Sequence, residues 1–217
     1  MANKIIDGIE IIVSDIARYL QLNDISGSDL TKIWGQIKTD YALYEKWICY
    51  HNYPEIPFAL LDEMGTVLEN DCIEMRLTAD NFNYTKVWGV IRITEENFDM
   101  FAAYHNKRNP ENGAKSEHIK RNFSNWAIFA LLTDNKITDY IVLAIGNPIQ
   151  AEIYCVEASD GVKCKELIIS AAKYAFDQGK KEVLYMADEN TIEHKEAISV
   201  GFINTGFYKG YVERKEM

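Results

Sequence analysis

The stretch from Ala151 to Phe202 constrains this chain more than any other, because it commits to an order of elements. AEIYCVEA reads as a strand, SDGVKC as a short loop and KELIISAAKYAFDQG as a helix. EVLYM reads as a second strand, and a second helix follows that ends at Gly201-Phe202. Glycine at that point lets a helix terminate before the chain turns into its last strand.

The residues upstream are equally well punctuated. VWGVIRI is rich in β-branched and aromatic residues and predicts a strand from about Lys86. Thr94, followed by Glu95, Glu96 and Asn97, predicts an N-cap with acids in the first turn of a helix running to about His105. Its apolar residues Phe98, Phe101 and Ala102 share one face. The polar segment from Lys107 to Gly113, with Pro110, predicts a loop, after which Ser116 can cap SEHIKRNFSNW. WAIFALLTD and ITDYIVLAI predict a hairpin turning at Asn135-Lys136. Pro148 ends its second arm, since proline cannot donate to a ladder.

Before residue 85, IIDGIEIIVSD predicts a strand entering a turn or helix, and DCIEMRL predicts a strand. SDLTKIWGQIKTDYALYEKWI predicts an amphipathic helix capped by Ser28 or Asp29. Two pairs of segments echo each other: IEIIVSD with AEIYCVEASD, and MGTVLENDCIEMRL with VGFINTGFYKGYVE, where Gly65 to Met75 matches Gly201 to Tyr211 in spacing.

The strand, helix, helix, three-strand, helix, strand, helix, strand order from about Thr85 to Met217 resembles the GCN5-related N-acetyltransferase (GNAT) superfamily. So does Asn190 followed by Gly201-Phe202, which fits the end-to-end spacing N-x-x-A-x-x-x-Y-x-x-x-G-F. The resemblance implies an α/β (α+β) fold with a mixed, mainly antiparallel central sheet flanked by helices, splayed between AEIYCVEA and EVLYM where the family binds acyl-CoA. Residues 1–84 would add an N-terminal α/β lobe, read either as a reduced GNAT-like half or as an unrelated lobe. Residues 85–217 would form the acyltransferase domain.

The resemblance also implies roles for individual residues. The family cradles the coenzyme A pyrophosphate between AEIYCVEA and its helix, on a Q/R-x-x-G-x-G/A loop. A helix N-terminus offers orphan N–H groups and partial positive charge, and small residues let phosphates approach. The equivalent positions are Ser159, Val162 and Cys164, with Gly161 offset by one. Val156, Ala158, Gly161, Lys163, Cys164, Lys165 and Asn190 would then line the cofactor. Lys163 and Lys165 either meet phosphate directly or are ordinary solvated charges.

Glu152 occupies the strand that carries the general base in the histone acetyltransferase branch, and is read either as that base or as a solvent-facing residue. Acyl transfer to an amine requires removing a proton from R-NH3+, and a carboxylate of raised pKa can take it. The family's tyrosine, which protonates the leaving thiolate, is replaced by Ala197, and its alanine by Glu193. Tyr208 or Tyr185 could supply a hydroxyl instead, or both could be packed strand aromatics, with Tyr208 taken as the catalytic candidate.

Composition limits the alternatives. A 217-residue chain with 47% apolar and 12% aromatic residues can bury a large core. The longest apolar run, Trp126 to Leu132, is too short to span a membrane. Net charge is -10 without a basic cluster, which disfavours nucleic acid, and is read either as suiting cationic substrates such as amines or as maintaining solubility alone. Cys49, Cys72, Cys155 and Cys164 lack CxxC spacing and the N-terminus lacks a leader pattern, so a reducing cytoplasm is expected. His51, His105, His118 and His194 are dispersed, and no metal is expected. Glu193-His194 reads as helix capping and dipole compensation.

The resemblance to the GNAT superfamily implies one of two functions. One is an N-acetyltransferase moving acetyl from acetyl-CoA to an amine of a small molecule or peptide, as a monomer or homodimer. The other is a GNAT-fold module that has lost catalysis and serves in ligand sensing or protein interaction. The C-terminal INTGFYKGYVER is expected to be an exposed edge strand.

Overall fold

The computed structural model describes residues 2–15, 18–108 and 116–213. It divides into two compact units, one of 1–73 with 206–217 and the other of 74–205. The second unit therefore takes in residues before position 85, and the last strand contributes its final residues to the first.

In the first unit, β1 (Ala2–Ile6) and β2 (Ile9–Ser14) form a hairpin turning at Asp7 and Gly8, with φ of 49° and 85°. An Asp-Gly pair with positive φ at both positions matches the twist of the flanking strands. IIDGIEIIVSD is thus two strands where one was expected. Next, β3 (Tyr19–Asn23) pairs antiparallel with β2 and parallel with β4 (Glu45–His51), and helix α1 (Gly27–Asp40) makes the crossover. Leu30, Ile33, Trp34 and Ile37 bury one stripe of α1 at i, i+3, i+4, i+7 spacing.

The cap of α1 is Ser26, whose Oγ accepts the Asp29 N–H at 3.2 Å, and not Ser28 or Asp29. The helix also stops at Asp40, because EKWICYH, with Ile48, Cys49 and Tyr50 all buried, is β4. Helix α2 (Phe58–Glu63) leads through Gly65 into β5 (Thr66–Thr78), and the final strand is β11 (Ile203–Glu213). Strand β11 pairs antiparallel with β4 from Tyr208 opposite His51 to Val212 opposite Trp47. The edge expected at INTGFYKGYVER is therefore satisfied within the chain.

In the second unit, β6 (Ile91–Ile93), β7 (Trp126–Thr133), β8 (Lys136–Ala144) and β9 (Gln150–Glu157) are sequential antiparallel neighbours. Strand β9 then pairs parallel with β10 (Glu182–Asp188), and α5 (Gly161–Asp177) makes the crossover. Only the last part of VWGVIRI is a strand. The hairpin of β7 and β8 turns at Asp134-Asn135, with φ of 51° and 59°, one residue earlier than expected.

Thr94 caps as expected, its own N–H donating to Asn97 Oδ1 at 2.7 Å, and leads into α3 (Phe98–Arg108). Helix α4 (Ser116–Arg121) follows, and most of the loop expected at 107–113 lies outside the described residues. Phe98, Phe101 and Ile119 pack on Ile128, Ala130 and Tyr140. The intervening Phe129 meets Tyr174 of α5 with ring centroids 5.4 Å apart. Successive strand residues point to opposite faces, so α3 with α4 and α5 cover the two faces of this unit's sheet.

Helix α6 (Ile192–Val200) and Gly201 then precede β11. The run β3, α1, β4, α2, Gly65, β5 therefore repeats as β9, α5, β10, α6, Gly201, β11. Gly65 and Gly201 correspond, as the sequence echo suggests, and both have positive φ, 70° and 113°. IEIIVSD does not match AEIYCVEASD: the partner of β9 in this repeat is β3, because only β3 enters a parallel crossover.

Candidate active site

The ladder between β9 and β10 starts at Gln150 opposite Glu182 and stops at Ile153 opposite Tyr185, although β9 continues to Glu157 and β10 to Asp188. The fork has a local cause. On the other side of β9, Val142 faces Cys155 while the adjacent Leu143 faces Ile153, so Tyr154 is the extra residue of a β-bulge. A bulge bends its strand and ends regular pairing. Beyond the fork, main-chain groups of 154–157 and 186–188 have no partner in the β9–β10 ladder. An extended ligand carrying amides can add to such strand edges.

The same repeat in the first unit closes this gap. The β3–β4 ladder runs to Asn23 opposite Cys49, Asp24 N–H donates to Cys49 O at 2.8 Å, and Asp24 Oδ1 accepts the His51 N–H at 2.6 Å. Only the second unit opens its parallel pair.

The C-terminal ends of two parallel strands and the N-termini of the helices that follow them are where open α/β sheets bind ligands. Here SDGVKC is not a free loop, because α5 begins at Gly161. Asp160 is the N-cap, with Oδ1 accepting the Lys163 N–H at 2.9 Å. The N–H groups of Gly161 and Val162 have no hydrogen-bond partner among the described residues. A Cβ at Gly161 would stand 2.9 Å from Glu196 Oε1, so the flexible Glu196 carboxylate lies directly over this glycine. Val162 is 70% exposed.

Lys163 is not an open cation. Its Nζ donates to Ser159 Oγ at 2.8 Å and pairs with Asp139 at 3.3 Å. Asp139 is fully buried and also accepts the Ser159 N–H and the Thr138 hydroxyl, each at 2.6 Å. Burial alone would raise this carboxyl, and the hydrogen bonds from Thr138, Ser159 and Lys163 overcome it to hold the group below its ordinary value. The sequence signal was present, an Asp within the apolar strand ITDYIVLAI.

A carboxylate whose folded pKa is depressed stabilises above its unfolded value, about 3.9, and that contribution is lost as pH falls through the folded value. Asp139→Asn should cost about 2 kcal/mol at neutral pH, the range of a hydrogen bond to a charged group. It should also flatten the loss of stability below about pH 4. Urea denaturation from pH 2 to 7 reads both, and an unchanged acid limb would remove Asp139 from this account.

Lys165 and Lys86 line a pocket of about 250 Å³ together with Gly161, Val162, Glu166 and Glu196. Cys164 is fully buried, its thiol pushed up to about 12 by burial, so it offers no reactive side chain. Val156 and Ala158 are half-buried at the far end of β9 and just beyond it. Asn190 is left-handed, with φ 66°, and precedes the true cap of α6, Thr191. His194 is 7% exposed, accepts the Asn190 N–H at 3.2 Å and lies 3.3 Å from Asn204 Oδ1.

Glu152 sits one residue before the fork, opposite Leu184. Its side chain reaches solvent, yet the surrounding protein desolvates it enough to raise its carboxyl above the ordinary value. Tyr208 belongs to the first unit, with its hydroxyl 3.2 Å from Cys49 Sγ and its ring 4.8 Å from that of His51. Burial, with Cys49 beside it, holds that phenol protonated far above its usual range. Of the two catalytic candidates, then, Glu152 alone belongs to the unit that contains the fork.

No family model matches this sequence, and no curated protein does. The structure is similar to a GCN5-related N-acetyltransferase from Kribbella flavida, with a TM-score of 0.70 at 8% identity, covering 99% of this chain and 90% of the other. A GCN5-related N-acetyltransferase from Sphaerobacter thermophilus matches with a TM-score of 0.68 at 12% identity, over 96% of this chain and 78% of that one. Saccharomyces cerevisiae N-myristoyltransferase, solved with bound myristoyl-CoA and inhibitors, matches at 0.60 and 11% identity, over 95% of this chain and 61% of its own. At such identities the likeness establishes a fold: this chain has the mixed α+β, mainly antiparallel fold of the GNAT proteins.

Proposed function

We propose that the second unit transfers an acyl group, acetyl in the first instance, from acyl-CoA to an amine of a small molecule or peptide. One observation carries the reading. The bulge at Tyr154 opens the sheet directly after a solvent-reaching carboxylate of raised pKa. An extended pantetheine chain has amides for the unpaired strand edges, and the adjacent carboxylate can take the proton an amine must lose. Two free N–H groups of α5, with Lys165 and Lys86 nearby, suit the cofactor's phosphates. By the same resemblance Val156, Ala158, Gly161 and Asn190 line the cofactor, and the first unit is a reduced GNAT-like half whose fork is closed. The acidic composition and four free cysteines accord with an amine substrate and a reducing cytoplasm.

A second reading, a non-catalytic GNAT-fold module, is favoured by the engagement of Lys163 with Asp139 and by Glu196 over Gly161. Both place carboxylates where phosphates would approach. Thermal denaturation with acetyl-CoA separates the two. A ligand at 100 times its dissociation constant adds about 2.7 kcal/mol of stability. A rise in Tm followed by thiol release over an amine panel supports transfer. A rise without turnover supports the binding module, and no rise at millimolar acetyl-CoA removes the acyl-CoA reading.

A further inference from the structure

If the fork holds a thioester, a group must stabilise the sulfur as it leaves, and the family's usual tyrosine is Ala197 here, fully buried in α6. Tyr185 stands on the last rung of the β9–β10 ladder, opposite Ile153, where the strands part. Only 6% of it is exposed, and its ring lies 6.3 Å from that of Phe202, the residue that follows Gly201 after α6. Its hydroxyl has no hydrogen bond to another described residue and is not one of the side-chain atoms sealed from solvent without a partner. Cys164 of α5, Glu193 of α6, Cys155 of β9 and Asp188 of β10 lie within electrostatic reach of it, on elements that border the fork. A phenol whose ring is buried while its oxygen still reaches the opening is placed to donate to a ligand that enters there.

We infer that Tyr185 donates a hydrogen bond to the coenzyme A sulfur and stabilises the leaving thiolate, a task the family gives to a residue of the following helix. The inference rests on the acyl-transfer reading and adds a residue to it. In the reaction the amine nitrogen forms its bond to the thioester carbon and gives its proton to Glu152. The C–S bond then breaks with its electron pair going to sulfur. Burial raises the Tyr185 phenol well above 10, whereas a free thiol titrates near 8.5. The proton therefore stays on Tyr185, which acts as a charge-stabilising donor in the manner of an oxyanion hole and not as a general acid. The thiolate leaves and takes its proton from water.

Binding tests this without turnover. Titration calorimetry of coenzyme A and of desulfo-coenzyme A, from about pH 6.5 to 9.5, compares wild type with Tyr185→Phe. The wild type should favour coenzyme A over its desulfo analogue increasingly as the thiol ionises near 8.5, reaching roughly tenfold or more for one hydrogen bond to a charged group. Tyr185→Phe, which keeps the ring and its packing on Phe202, should abolish that pH-dependent preference while binding desulfo-coenzyme A as the wild type does. Equal pH dependence in both proteins overturns the role of Tyr185 and leaves the acyl-CoA reading standing. Failure of the wild type to bind either ligand overturns the acyl-CoA reading, and this inference with it.

Discussion

Glu152→Gln should lower turnover of acetyl-CoA with an amine roughly 100- to 10,000-fold, the contribution of a positioned general base. The KM for acetyl-CoA should stay near the wild-type value, because the substitution keeps shape and removes only the ability to accept a proton. The pH profile gives a sharper signature. A base must be ionised to act, so kcat/KM should rise with pH through the pKa of Glu152, which the surrounding protein lifts above the ordinary carboxylate value of about 4.3. In the Gln variant that limb should vanish, while the limb from the amine's own ionisation remains.

Stability should move in the opposite direction to activity. A carboxylate whose folded pKa is raised is more easily ionised when unfolded, so the folded state loses stability as pH climbs from the unfolded to the folded value. Glutamine removes that cost, and Tm at neutral pH should be unchanged or higher. A residue kept against its own stability has the profile of a functional group. Unchanged turnover in Glu152→Gln would take the residue out of the mechanism, and a large fall in Tm would make any loss of activity a matter of folding.

The element order of the second unit was legible because its signals are local. The helix of α5 has a capping Asp160 and a buried stripe, Thr94 and Asn97 reciprocate at one helix start, and Gly201 marks another helix end. The first unit was harder to read for an equally local reason. In SDLTKIWGQIKTDYALYEKWI the helical period of α1 runs on into a segment whose β character appears only when Trp47, Ile48 and the following Cys49 find strand neighbours on both sides. Propensity is a weak prior there, and tertiary pairing decides.

The site divides along the same line. Gly161, Asn190 and Glu152 could be placed by counting, because their positions follow from helix starts and strand order. The fork itself could not, since one extra residue at Tyr154 looks like any other strand residue until β8 is laid beside it. Nor could the sequestration of Lys163, whose partner Asp139 is remote in the chain and adjacent only through the β8–β9 pairing. Likewise, choosing between Tyr185 and Tyr208 required knowing which unit each strand end belongs to.

Gly201→Ala and Gly65→Ala form a matched pair whose contrast should be large. Both glycines follow a helix and open a long strand, and both have the left-handed φ that costs an L residue about 1 kcal/mol or a little more. At Gly65 nothing lies within 4 Å of an added Cβ, so that conformational cost should be the whole effect. At Gly201 the methyl group would run into the backbone carbonyl of Asn81 and press on Leu77 Cδ1 at 3.4 Å. Backbone cannot step aside cheaply there, because the neighbouring Asn83 N–H donates to Val200 O at 2.8 Å and its side-chain amide reaches Ser199 O at 3.5 Å.

Opening that seam loses these hydrogen bonds as well as the packing of α6, so Gly201→Ala should cost about 4 kcal/mol or more, in the range reserved for strain and overpacking. Because α6 borders the fork, the same variant should weaken acetyl-CoA binding, whereas Gly65→Ala should not. Guanidinium titration with a Tm measurement in the presence and absence of acetyl-CoA reads stability and binding together. Equal destabilisation by the two variants would show that the contact with Asn81 carries no weight, and that the left-handed turn alone sets the requirement for glycine.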